Sequence, residues 1–441
     1  MIQLSDHFTC RRLLRFTFPS VIMLIFTSIY GVVDGFFVSN FVGKTPFAAV
    51  NLIMPYLMIL GCIGFMFGTG GSALIAKTMG EGKAEKANEI FSLLIYTSVA
   101  CGVALAVLGI VFLPRVAALM GAEGQLLRDC VVYGTINLLA VPFYILQFEF
   151  QCLFASAEKP KLGLGVTVAA GLTNMVLDAV FVGVLRFGLE GAAAATALSQ
   201  LVGGAVPLFY FGRENTSRLR LVRCGFDGGV LRRACANGAS ELMSNISMSL
   251  VSMLFNMRLM KYAGENGIAA YGVLMYVSLV FQAVFLGYSV GASPVISYHH
   301  GAENYEEGRG LLRRSLVLIG VFSLLMFAAG QTLARPLSLL FVGYDPELMN
   351  ITVRAFAIFS FSFLFSGIAI FGSSFFTALN DGLTSALISF LRTLVFQCLA
   401  VLILPLLWGL DGIWLSTVAA DALAVAVTAL FLVGKRKKYR Y

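Results

Sequence analysis

The chain has 441 residues, 59% of them hydrophobic and only 12% charged, with a net charge of +8 and a mean hydropathy of +0.87. So little charge cannot cover the surface of a soluble protein of this length, which excludes soluble enzymes and soluble binding modules. The basic excess needs no nucleic acid to explain it, because its distribution is a membrane-topology signal.

Runs of about 20 apolar residues, each long enough to cross a ~30 Å hydrocarbon core as a helix, recur along the chain. We read twelve spans: 14–38, 46–76, 88–113, 129–154, 162–185, 188–211, 235–260, 267–297, 311–334, 347–377, 383–406 and 411–433. Lipid offers the backbone no hydrogen-bond partners, so such spans must be helical, and the alternation of a barrel strand is absent. The first span follows Arg11, Arg12 and Arg15, is long and lacks a small-residue cleavage site, so it reads as a helix rather than a removable signal. Spans 46–76 and 267–297 exceed what a crossing needs and are predicted to tilt, bend or project. Pro19, Pro55, Pro142 and Pro207 mark kink sites in the first half. The polar segment 212–234 divides the chain into a lobe at 1–211, a linker and a lobe at 235–441 that ends in the basic tail Lys435–Arg440. With the N-terminus inside, 22 of the 31 Lys and Arg fall on inner segments and seven on outer ones, while Arg354 and Arg392 lie in spans. That bias puts both termini in the cytoplasm of a cell (inner) membrane protein.

Much of the chain is spelled twice, 221 residues apart. Gly70, Ser72 and Gly80 return as Gly291, Ser293 and Gly301, and Gly188-Leu189-Glu190-Gly191 returns as Gly409-Leu410-Asp411-Gly412. Six spans per copy is an even number, so both copies enter the membrane in the same direction. The fold class is an all-α membrane protein of twelve transmembrane helices in two six-helix lobes related by a parallel repeat. Two like lobes that can rock about a site held between them are the mark of a secondary transporter.

Ionisable groups inside spans are few, and each costs about 2.5–3.5 kcal/mol on insertion scales. Asp34, in the first span, has Tyr30 four residues before it, and Asp178, in the fifth, has Asn174 four before it. Each carboxylate thus has a hydrogen-bonding neighbour on its own helical face, and the sixth span adds Thr196 and Gln200. The set is either a proton or Na⁺ site or a pair of helix-end acids wetted by the interface. Glu149, between Gln147 and Gln151, is either a cation-attracting vestibule group or a snorkelling residue. Glu241 reads as a first-turn carboxylate complementing the helix dipole or as a substrate contact. Asn51, in the second span, completes the substrate-cavity candidates. Arg392 reads as a snorkelling residue or the partner of a buried acid, and Asp421 takes the repeat position of Gln200. His299-His300 has no third ligand at metal spacing, and no cofactor is expected beyond the coupling ion. The eight cysteines read as small buried hydrophobes.

The strings Val33-Asp34-Gly35-Phe36-Phe37-Val38, Ala48-Ala49-Val50, Gly70 to Gly80, Asn174-Met175-Val176-Leu177-Asp178, Gly188 to Thr196 and Ser297-Tyr298-His299-His300-Gly301-Ala302 occur in this order. Together they resemble the multidrug and toxic compound extrusion (MATE) transporters, closest to the DinF-like branch with its MepA-like members. The resemblance covers all twelve spans and implies the MATE/MOP-type fold. It implies cation-coupled export of amphipathic, often cationic compounds by alternating access. It also implies that Tyr30, Asp34, Asn174, Asp178 and Thr196 form the coupling-ion cluster. The chain departs from the NorM-like branch, since 347–377 contains no carboxylate and Glu241 lies too early in its span. Expected partners are small amphipathic substrates and the lipid bilayer, with no nucleic acid, and the chain is expected to act as a monomer. The alternative within transporters is a flippase for a lipid-linked saccharide, which usually has more spans and a basic cavity. A membrane-embedded transferase would need a metal-binding acid pair or a His–acid cluster, and neither motif is found.

Overall fold

The computed structural model describes residues 2–42, 44–343 and 345–441, and contains no strand among them. The first half folds into α1 (Cys10–Phe37), α2 (Lys44–Gly80), α3 (Ala84–Leu119), α4 (Gly124–Ser156), α5 (Pro160–Asp178) and α6 (Gly188–Gly212). The second half holds α7 (Gly228–Gly301), α8 (Tyr305–Val342), α9 (Pro346–Phe359), α10 (Phe363–Ala378), α11 (Gly382–Phe390), α12 (Phe396–Gly434) and the short α13 (Arg436–Tyr439). A single 3₁₀ turn joins α9 to α10, making them one span.

As a straight rod, the 74 residues of α7 would measure about 111 Å at ~1.5 Å per residue, more than three times the hydrocarbon core. Gly264 prevents this. Its backbone (φ +59°, ψ −146°) leaves the helical region, in a conformation glycine tolerates and other residues resist. The helix therefore folds into two arms, the seventh and eighth predicted spans. Gly409 (φ +57°, ψ −132°) does the same in α12. Ten described segments are long and apolar enough to cross a membrane, and one of them, the 53-residue Gly382–Gly434, holds two predicted spans on either side of that bend. The first arm of α7, with Glu241, Asn245 and Asn256, is not among the ten. With that arm included and the bent segment counted as two, the predicted twelve helices are present.

Among the described residues, three helices widen locally into π turns, at Val38–Val42, Ala179–Val184 and Leu391–Val395. Such turns free backbone carbonyls and re-aim side chains, and they gather at functional sites. Here Asp34 stands one turn before the first, Asp178 directly before the second, and Arg392 inside the third.

α1 and α2 pack against the two arms of α7, which joins the two helix sets. Glycine makes the approach possible. A Cβ on Gly238 would lie 1.9 Å from the Met66 carbonyl oxygen, and one on Gly80 would lie 2.0 Å from that of Tyr298. Gly70 and Gly301 meet backbone oxygens of Ala234 and Lys77 at 2.1 Å. All these contacts lie in the half of the bundle nearer the chain termini.

That terminal face is tied by the ends of the chain. Leu4 and Phe8 are fully buried. The Leu4 N–H donates to Glu158 Oε1 at 2.7 Å, and the Phe8 N–H to Glu307 Oε1 at 3.0 Å. Glu307 also meets His7 Nδ1 at 2.6 Å and accepts from Arg314 at 2.9 Å. At the other end Asp381 accepts from Lys435 at 2.6 Å and from the Tyr439 hydroxyl at 2.8 Å.

The segment before α7 is shorter than the polar stretch suggests. Asp227 caps the helix, accepting from the N–H groups of Gly229 at 2.9 Å and Val230 at 3.1 Å, so residues 228–234 are already helical. Glu241 is therefore more than three turns inside α7, and the first-turn dipole reading of it is overturned. Arg232 and Arg233 made the first turns look like linker.

Candidate functional site

Asp34 comes from the last turns of α1, Asn174 and Asp178 from the last two turns of α5, and Thr196 from α6. These helices pack together, and Asp34 interacts with the side chains of Asp178, Asn174 and Thr196. Both carboxylates are buried, with Asp34 7% and Asp178 0% exposed. The wetted helix-end alternative does not describe them in this structure. Oδ1 of Asp34, both carboxyl oxygens of Asp178 and Oδ1 of Asn174 have no hydrogen-bond donor on them among the described residues.

Two adjoining carboxylates out of water repel each other; Asn174 and Thr196 interact with Asp34 and favour its charged form, but among the described residues neither oxygen of Asp178 receives a donor. The pair is stable with a proton between the acids or with a small hard cation taking several oxygens. The oxygen set suits either, since Na⁺, like other hard cations, prefers carboxylate and amide oxygen. The Thr196 hydroxyl donates to the Ala192 carbonyl at 3.1 Å.

Tyr30, one turn before Asp34, interacts with it electrostatically and accepts from Gln147 Nε2 at 3.4 Å. Tyr133 of α4 is missing from the sequence-predicted set. It is buried, interacts with both acids and reaches Thr196. Its spacing four before Asn137 was the one available signal, but only the packing of α4 brings it here.

The other candidates scatter. Glu149 is fully buried in α4 and turned toward Ser98 and Cys101 of α3, with neither carboxyl oxygen hydrogen-bonded among the described residues. Full burial does not fit a side chain snorkelling to the interface. Gln200 has a buried Oε1 without a donor among the described residues, and Asn51 is exposed near the start of α2. Glu241 and Asp421 each interact electrostatically with Arg392.

The family model MatE matches the chain twice, at residues 19–180 and 242–403. Among curated proteins, the chain is 25% identical over 430 residues to the multidrug export protein MepA of Staphylococcus haemolyticus (strain JCSC1435), covering 96% of this chain and 93% of that one. It is 23% identical to MepA of Staphylococcus aureus (strain MRSA252), with the same coverage. Among solved structures, a MATE protein in the straight conformation superposes with a TM-score of 0.92 at 21% identity, covering 98% of each chain. The outward-facing conformation of a multidrug resistance MATE family transporter of the MOP superfamily gives 0.93 at 21%, covering 98% and 97%. The chain has their fold, and by the repeated match it belongs to the MatE family.

Proposed function

We propose that this chain is a secondary active antiporter of the cell membrane, with both termini in the cytoplasm. It exports amphipathic, often cationic, organic compounds while H⁺ or Na⁺ moves inward. The observation that carries the reading is the buried Asp34–Asp178 pair beside Asn174 and Thr196, with Asp178 receiving no donor among the described residues, set next to π turns in otherwise apolar helices. A carboxyl pair of that kind has a reason to exist only if something charged occupies it in part of a cycle. The substrate class comes from the relatives named multidrug export protein.

Glycine-mediated contact of α2 with α7 near the terminal face supports alternating access, since these are the contacts that must part for the site to open to the cytoplasm. Coupling is energetically sufficient. One charge crossing 100 mV releases about 2.3 kcal/mol, which supports a gradient of about fortyfold. The chain works as a monomer and takes no cofactor beyond the coupling ion. Inverted membrane vesicles containing the protein should accumulate ethidium under an imposed pH gradient or an imposed Na⁺ gradient. Accumulation under neither would remove the reading.

A further inference from the structure

The face away from the chain termini carries a charged pair and both tryptophans of the chain. α8 leads from the terminal face to the start of α9 at Pro346, and the first arm of α12 ends on the same far face at the Gly409 bend. Between α9 and that bend lies a cavity of about 420 Å³. Asn350, Ile351 and Arg354 line it from α9, and Trp408, Asp411 and Trp414 from α12. Trp414 is rooted in the core of the second helix set, whereas Trp408 is 57% exposed.

Arg354 and Asp411 join the two elements. The Arg354 Nε donates to Oδ1 of Asp411 at 2.9 Å, and Nη2 donates to Oδ2. This two-pronged pair is neutral and uses only part of each partner's capacity. A guanidinium carries five N–H groups and a carboxylate about four lone-pair sites, so roughly three donors and two acceptor positions remain. The Arg354 side chain is 70% exposed, so what remains is open to a ligand. An anion alone would meet Arg354 but be repelled by Asp411, and a cation alone would meet the reverse. A ligand with both charges, and with N–H groups on its cationic end, satisfies both partners and leaves their own pair intact.

The arm that leads to the cavity supplies an apolar track. Leu399, Leu402, Ile403, Leu406 and Leu407 recur at three- and four-residue spacing, so they form one stripe, and all are exposed. The nine-residue step from Leu399 to Trp408 is about 14 Å of helix, close to half of the ~30 Å hydrocarbon core. The stripe therefore runs the depth of one leaflet and brings Trp408 to headgroup level, where an indole's apolar body and its N–H are both accommodated.

We propose that this cavity binds the headgroup of a phosphatidylethanolamine from the leaflet away from the chain termini. The phosphate accepts from the outward N–H groups of Arg354, with the Asn350 amide beside it. The ammonium donates to Asp411, and an acyl chain lies along the Leu399–Leu407 stripe. The site is separate from the Asp34–Asp178 pair and depends on neither the substrate nor the direction of transport.

Trp408 and Trp414 are the only tryptophans in the sequence, so intrinsic fluorescence reports on this cavity. The test is quenching of that fluorescence in the full chain, reconstituted into phosphatidylcholine vesicles with equal fractions of a lipid brominated on its acyl chains. Three brominated lipids are compared: phosphatidylethanolamine, phosphatidylcholine, whose cationic group has no N–H, and phosphatidylglycerol, which has no cationic group. The ethanolamine lipid should associate about three- to tenfold more strongly than the other two, the range set by one net hydrogen bond. Asp411→Asn should abolish that preference and, by leaving Arg354 an unpaired cation, turn it toward phosphatidylglycerol. Arg354→Gln should remove the preference without that reversal. A purely structural ion pair predicts no reversal. Equal quenching by the three lipids in the wild type means ordinary contact with bulk lipid and overturns the proposal, as does a folded Asp411→Asn protein that keeps the ethanolamine preference. Relief of quenching by water-soluble phosphoethanolamine at millimolar concentration would assign the cavity to a free solute and overturn the lipid site. If the variants do not fold, the three-lipid comparison in the wild type decides alone.

Discussion

Removing the Glu307 side chain should open the terminal face. The strap from Leu4 to Phe8 is anchored at Glu158, in the turn between α4 and α5, and at Glu307, in the first turn of α8. Five extended residues span at most about 17 Å, so the strap cannot follow the two helix sets apart without releasing one anchor. In Glu307→Ala the buried Phe8 N–H loses its acceptor, at a cost of about 1–3 kcal/mol. His7 is 65% exposed, and so its ion pair adds about 0–1 kcal/mol. Taking about 2 kcal/mol in total, the balance between closed and open terminal faces shifts by roughly thirtyfold. Spin labels at Lys161 and Glu306, both exposed, report the distance across that face. Glu307→Ala should enlarge the long-distance population, and Glu81→Ala, which breaks an exposed pair with Lys83, should not. An unchanged distance distribution in Glu307→Ala would refute the strap as a brace of the closed face.

Gly238→Ala should shift the same distances in the same direction and lower the melting temperature, because its Cβ would meet the Met66 carbonyl oxygen at 1.9 Å. Gly165→Ala, with nothing within 4 Å, should be neutral or stabilising by about 0.5–1 kcal/mol. Burial alone would raise the Asp381 carboxyl, but hydrogen bonds from Lys435, Tyr439 and Thr384 outweigh it and hold the group below the usual carboxylate range. A lowered folded-state value means that this anchor is at full strength above the ordinary Asp value of about 3.9 and is lost as the pH falls through the lowered value. Limited proteolysis within Lys435–Lys438 should therefore accelerate only on strong acidification in the wild type, and at neutral pH in Asp381→Asn. Equal cleavage of the two at neutral pH would count against the anchor.

The spans were legible because each is a long apolar run, and the breaks between them at 261–266 and 407–410 were legible too, but the bends at Gly264 and Gly409 show only in the backbone. Asp34, Asn174, Asp178 and Thr196 could be found because a polar side chain inside an apolar run stands out. The π turns that flank them could not, since sequence periodicity assumes a regular helix and one inserted residue leaves no signature of its own. Tyr133 joins the site only through the packing of α4, and the strap residues Leu4 and Phe8 are too few to show any period. Glu241 was misread for a local reason: Arg232 and Arg233 are polar enough to pass for linker, yet they lie on the first turns of a helix capped by Asp227.

The most direct measurement is ethidium uptake by inverted vesicles containing Asp34→Asn or Asp178→Asn, under the ion gradient that drives the wild type. The amide keeps the size and much of the hydrogen bonding of the carboxyl and removes its charge, so expression and melting temperature should remain near wild type. If the pair carries the coupling ion, accumulation against a gradient should collapse in both variants while ethidium still binds. Asp178→Asn vesicles that concentrate ethidium at the wild-type rate would contradict it.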